Sequence, residues 1–106
     1  MAEIKTYTSE DMKFENLSKN PLTLVDFWAT WCGPCRMMGE KIDNELLPAA
    51  PDVKVVKVNV DEAPELVAEI GIVSVPTLFC YRDGVRRAVF VGVKPVDKLL
   101  SALGVG

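Results

Sequence analysis

Cys32 and Cys35, separated only by Gly33 and Pro34, are the residues of this sequence whose types and spacing are best suited to chemistry. Two cysteines at i and i+3 sit about one helical turn apart, so at a helix start both sulfurs can face one side and close a small disulfide ring. Cys32 would stand at the leading end, where N–H groups lack intrahelical partners and the macrodipole is positive, which favours thiolate over thiol. Thiolate is the form that attacks disulfides. Cys35, one turn into the helix, is positioned to displace whatever Cys32 captures. The pair therefore supports a full dithiol exchange cycle with no cofactor. Gly33 frees the turn, and Pro34 holds φ near the helical value while lacking only an N–H that a helix start leaves unpaired anyway.

Two other readings of the pair carry less. A zinc site usually takes four ligands, and this chain has no histidine and only Cys80 besides the pair. A structural crosslink across two intervening residues restricts very little chain. The lack of histidine also removes His-based acid–base catalysis. The 106 residues are 49% apolar and 25% charged, the balance of a soluble globular protein, and predict a single domain spanning 1–106. Twelve basic against 15 acidic residues give a net charge of −3, which argues against a nucleic-acid partner. Met1-Ala2-Glu3-Ile4-Lys5 is charged where an export signal needs an apolar core. No apolar run approaches the roughly 20 residues of a membrane span. The expectation is a soluble cytoplasmic chain with no membrane partner.

The elements that must position the thiols alternate along the chain. Ile4 to Tyr7 reads as a weak first strand, and Ser9 opens a helix carrying Met12, Phe14 and Leu17 that stops near Asn20-Pro21. Leu22 to Trp28 is a mostly apolar run that suits a strand covered on both faces. A helix follows from Pro34 through Met37, Met38, Lys41, Ile42, Glu45 and Leu46 to Pro48. Val53 to Val60 reads as a second buried strand, Pro64 to Ile70 as a short helix ended by Gly71, and Thr77 to Tyr81 with Val85 to Val91 as a hairpin turning at Asp83-Gly84. Lys94 to Leu103 closes the chain as a helix. The order βαβαβαββα predicts an α/β fold with a sheet between helices.

The segment Asp26-Phe27-Trp28-Ala29-Thr30-Trp31-Cys32-Gly33-Pro34-Cys35 closely resembles the active-site segment of the thioredoxin family. Lys57-Val58-Asn59-Val60-Asp61-Glu62, Val75-Pro76-Thr77-Leu78, Asp83-Gly84 and Val91-Gly92 resemble further thioredoxin segments in the family's order, so the likeness covers essentially the whole chain. It implies the thioredoxin fold with its central mixed sheet, and a protein-disulfide reductase that uses Cys32 as nucleophile and Cys35 as resolving thiol. It also implies disulfide-containing target proteins, re-reduction by a thioredoxin reductase, and a monomer.

Asp26 is the only charge in Leu22 to Trp28, and Lys57 interrupts a valine-rich run, so both should sit on central strands, where pairing offsets the cost of a lone buried charge. From the residues alone, a structural ion pair fits as well as a catalytic one. The resemblance implies that Asp26 takes the proton of Cys35 and that Lys57 tunes it. By the same resemblance Pro76 is the cis proline facing the cysteines, Val75 offers backbone hydrogen bonds to an extended substrate, and Trp31, Pro34, Val75 and Gly92 form an apolar contact surface. Cys80 shares a strand face with Leu78 and reads as core, as Met37 and Met38 read as helix-face packing. Asp61-Glu62 reads as a loop and helix-start feature. One departure stands out: Gly39-Glu40 occupies the place where many thioredoxins carry a helix-kinking proline, which leaves the helix path open to a bend at Gly39. An oxidase or isomerase is the alternative enzyme, and an assembly subunit with idle thiols is the alternative of another class.

Overall fold

A computed structural model describes residues 3–4 and 20–105; the helix expected from Ser9 and the strand residues beyond Ile4 lie outside that range. The inner strands of the sheet are covered on both faces. Strand β2 (Leu22–Trp28) is buried at its five inner positions, and β3 (Lys54–Asn59) lies parallel to it, with Asp26 opposite Lys57. The short β1 (Glu3–Ile4) pairs in parallel with the far side of β3. Strands β4 (Thr77–Arg82) and β5 (Val85–Val91) run antiparallel, giving a mixed five-stranded sheet of order β1-β3-β2-β4-β5. The β4–β5 turn sets Asp83 and Gly84 at φ 53° and 79°, the doubly left-handed geometry that an Asp-Gly pair tolerates best.

Each face of the sheet has its own core. Leu24, Val55, Leu78 and Cys80 point to one side and meet Met38, Ile42 and Leu46 together with Val96, Leu99 and Leu103. Val25, Phe27, Val56, Val58, Phe79 and Tyr81 point to the other and meet Ala63 and Leu66. Met38, Ile42 and Leu46 have no exposed surface, and each such burial stabilises by about 1.5–3 kcal/mol. They recur at i, i+4 and i+8, which is why this helix lies along the sheet and presents its N-terminus at one end of β2.

That helix begins as α1 (Gly33–Lys41), continues as a π-helical stretch (Ile42–Leu46) and closes with the single turn α2 (Leu47–Ala49). It runs through Gly39 without interruption, and the irregularity falls later: the Leu47 N–H donates to Ile42 O, five residues back. Helix α3 (Pro64–Ile70) ends at Gly71, whose φ of 87° is the left-handed C-cap the sequence implied. Helix α4 (Val96–Leu103) starts one residue after Pro95, which stands outside as its N-cap rather than within the first turn. Arg82 secures its far end by donating from Nη1 to Leu103 O (2.9 Å) and Gly104 O (3.1 Å). No described helix is long and apolar enough to cross a membrane.

Candidate active site

Cys32 is the N-cap of α1, with an extended backbone at φ −98° and ψ 109°, and Pro34 stands in the first helical positions behind it. The Cys35 backbone N–H donates to Cys32 Sγ at 3.1 Å. A helix donor is thus aimed at the sulfur that the exchange reaction requires to be anionic. The two cysteines are disulfide-bonded, with Cα atoms 5.2 Å apart. Their exposures are 7% for Cys32 and 4% for Cys35, so accessibility scarcely separates them. Their surroundings do: Cys32 Sγ lies 3.7 Å from the carbonyl oxygen of Val75.

The Val75–Pro76 peptide bond is cis, and the loop carrying it is braced by Thr77 Oγ1, which donates to Ser74 O at 2.7 Å. The Gly92 N–H donates to Pro76 O (2.9 Å) from a φ of 89°, which confines that position to glycine. Trp31 is 70% exposed beside the thiols, and its Nε1 donates to Asp61 Oδ2 at 3.0 Å. Asp61 therefore orients the indole, a role its place in an acidic loop gave no sign of. Trp28 and Ala29 pack around the disulfide.

A groove of about 420 Å³ runs from the disulfide along α1 to the middle of the sheet. Asp26, Trp28, Cys32, Cys35, Gly39, Asp43 and Lys57 line it. Asp26 is 1% exposed and its Oδ1 has no hydrogen-bond partner. Burial pushes its carboxyl up to about 7, an effect that nearby Lys57 opposes and Asp43 reinforces. Lys57 stands opposite Asp26 in the sheet, but its Nζ makes its ion pair with Asp43 Oδ2 at 3.7 Å rather than with Asp26. The expected pairing of the two buried-strand charges is thus redirected to a helix carboxylate.

Cys80 behaves as core. It is fully buried beside Leu78, and burial pushes its thiol up to about 12, far from any reactive range. Met38 is likewise core, but Met37 is 54% exposed on the outer side of α1, so only one of the two methionines packs. Gly39 sits inside α1, and an added Cβ would meet Lys57 Nζ at 3.7 Å, an ordinary contact. Gly39→Ala should therefore stabilise the protein by about 1 kcal/mol through helix propensity, measured by urea unfolding; a loss of stability would show that the helix needs the extra backbone freedom.

The thioredoxin family profile matches residues 4–104, and the curated thioredoxin 1 of Synechococcus elongatus is 42% identical over 103 residues, 97% of this chain and 96% of its own. The chain belongs to the thioredoxin family. The thioredoxin of Pyropia yezoensis is 40% identical over 94% of each chain. Among solved structures, oxidised mitochondrial thioredoxin 3 of Saccharomyces cerevisiae superposes with a TM-score of 0.80 at 30% identity, covering 97% of this chain and 93% of its own. A point mutant of the thioredoxin of Halobacterium salinarum gives a TM-score of 0.78 at 32% identity over 96% of this chain and 87% of its own. Thioredoxins are thiol–disulfide oxidoreductases, and this thioredoxin fold carries the redox-active pair at the head of α1.

Proposed function

We propose that the chain works as a single-domain cytoplasmic reductant of protein disulfides, itself re-reduced by a thioredoxin reductase. The observation that carries this reading is the Cys32 sulfur at a helix N-cap, accepting the Cys35 N–H with the Val75 carbonyl beside it. In the forward cycle the Cys32 thiolate attacks one sulfur of a target disulfide, forms a mixed disulfide and releases the other sulfur as a thiol after protonation. Asp26 takes the proton of Cys35 across the groove they share. The Cys35 thiolate then attacks Cys32 Sγ, closing the intramolecular disulfide and expelling the second target thiol. The target gains two electrons and two protons, and the reductase returns two electrons to the pair.

Recognition in this reading is mainly backbone-mediated. Val75 would align an extended target segment. Exposed Trp31, with Pro34 and Gly92, offers a surface that asks little of the target's side chains. The deciding experiment supplies the oxidised protein to a pyridine-nucleotide-linked thioredoxin reductase and follows NADPH consumption with insulin as final acceptor. Steady NADPH oxidation that depends on the protein is expected. A strongly oxidising reduction potential with no such turnover would instead assign the chain to disulfide formation.

A further inference from the structure

Cys35, Gly39 and Asp43 recur at i, i+4 and i+8, so they lie on one side of the active-site helix, and all three line the groove that holds Asp26. Gly39, between the other two, presents no side chain, and the Lys57 ammonium lies 3.7 Å from where its Cβ would be. Through that opening Lys57 reaches Asp43 Oδ2, also at 3.7 Å. Asp43 lies within the π-helical stretch, a backbone irregularity that is found frequently at functional sites.

We propose that Asp43 is a positioning residue for the exchange reaction, holding the Lys57 ammonium toward the helix and so keeping it from fully neutralising the Asp26 carboxylate. The inference rests on the reading of Asp26 as proton acceptor for Cys35. Asp43 is half-exposed, so its ion pair adds little to stability, and its consequence is electrostatic. Among the described residues, the charged and titratable groups that line the groove with Asp26 are Lys57 from β3, Asp43 from the π-helical stretch, Arg36, Glu40 and Cys35 from α1, and Cys32 at its cap. From β4 the same sheet face brings Leu78, Cys80, whose thiol stays neutral, and Arg82, whose guanidinium is engaged by the Leu103 and Gly104 carbonyls. Among these, Lys57 draws the Asp26 proton affinity down and Asp43 raises it. Removing the Asp43 charge takes away the repulsion and releases Lys57, and both changes act in one direction.

The test is to titrate the Asp26 carboxyl carbon by NMR in the oxidised protein, for wild type, Asp43→Asn and Asp43→Glu. The Asp43→Asn midpoint is expected to fall by about half a pH unit or more, and Asp43→Glu to restore most of it. The pH profile of insulin reduction should move down with the midpoint. An Asp26 midpoint unchanged in Asp43→Asn overturns the inference, whatever the kinetics do. If instead the midpoint falls while the profile of Asp43→Asn stays in place and Asp26→Asn matches wild type in rate, the electrostatic coupling holds and it is the role of Asp26 in catalysis that fails. If Asp43 were purely structural, Asp43→Asn would lower unfolding stability and leave the Asp26 midpoint where it is, which likewise overturns the inference.

Discussion

Replacing Cys32 by serine is expected to lower the rate of insulin-disulfide reduction to that of dithiothreitol alone, a loss on the order of 10³-fold or more. The hydroxyl keeps the N-cap hydrogen bond that Sγ accepts from the Cys35 N–H, so the fold should survive. What disappears is the one sulfur placed at the helix's leading end and beside the Val75 carbonyl. Cys35→Ser should behave differently. Cys32 still attacks, but nothing remains to displace the captured sulfur, so a mixed disulfide with the target accumulates and appears in intact-mass spectra as a covalent adduct removed by reductant. The contrast between the two serine variants is the informative measurement, because both lose turnover and only one traps. Trapping through Cys35 in Cys32→Ser would reverse the roles assigned to the two thiols. Activity retained when both are serine would mean that the thiols are incidental and that the fold serves as a binding module.

Much of this architecture was legible from residue patterns, and the reasons are local. Leu22–Trp28 and Val85–Val91 have the bounds their apolar and β-branched runs implied: burial and strand propensity act together in the first, while strand propensity and the Asp83-Gly84 turn set the second, which is largely exposed. Pro34, Gly71 and Asp83-Gly84 punctuate the chain where their backbone preferences require. The thiol pair was legible for the same reason, since all of its chemistry lies within one turn of sequence. What escaped depends on contacts between distant segments. The π-helical stretch leaves no mark in the spacing of Ile42 and Leu46, which suits an ordinary helix equally well. Lys57 was expected to pair with Asp26, its neighbour across two strands, but the ammonium turns outward past Gly39 to Asp43, where a half-exposed carboxylate costs less to keep ionised than a buried one. The i, i+4, i+8 spacing of Cys35, Gly39 and Asp43 was the available signal for that contact. Asp61 had none, because its bond to Trp31 spans 30 residues.

The largest effect on stability should come from Asp26 and should appear as pH dependence. In the folded protein burial raises its carboxyl from the ordinary 3.8 to about 7. A carboxyl raised on folding binds its proton more tightly in the native state. Its contribution to stability is therefore fully present below about pH 4 and is lost progressively as the pH rises through 7. At 1.36 kcal/mol per pH unit, the difference corresponds to a loss of about 4 kcal/mol once Asp26 is ionised in both states, a large share of the 5–15 kcal/mol by which domains are usually stable. Asp26→Asn removes the titration and leaves a neutral side chain of nearly the same shape. Urea unfolding of the oxidised protein at pH 4 and pH 8 should therefore show the variant gaining about 4 kcal/mol relative to wild type between the two conditions. Taking the difference of differences cancels both the pH-independent cost of burying an amide and the titration of surface groups common to the two proteins. Parallel stability curves for wild type and variant would mean that the Asp26 proton affinity is ordinary. A proton acceptor working near neutrality at Cys35 would then have to be sought elsewhere in the groove. A gain of the expected size would instead mean that the protein carries an energetically costly carboxylate in its core at neutral pH, and under the proposed mechanism the groove it shares with Cys35 would give that cost a chemical purpose, as a base able to accept a proton at the pH where the exchange runs.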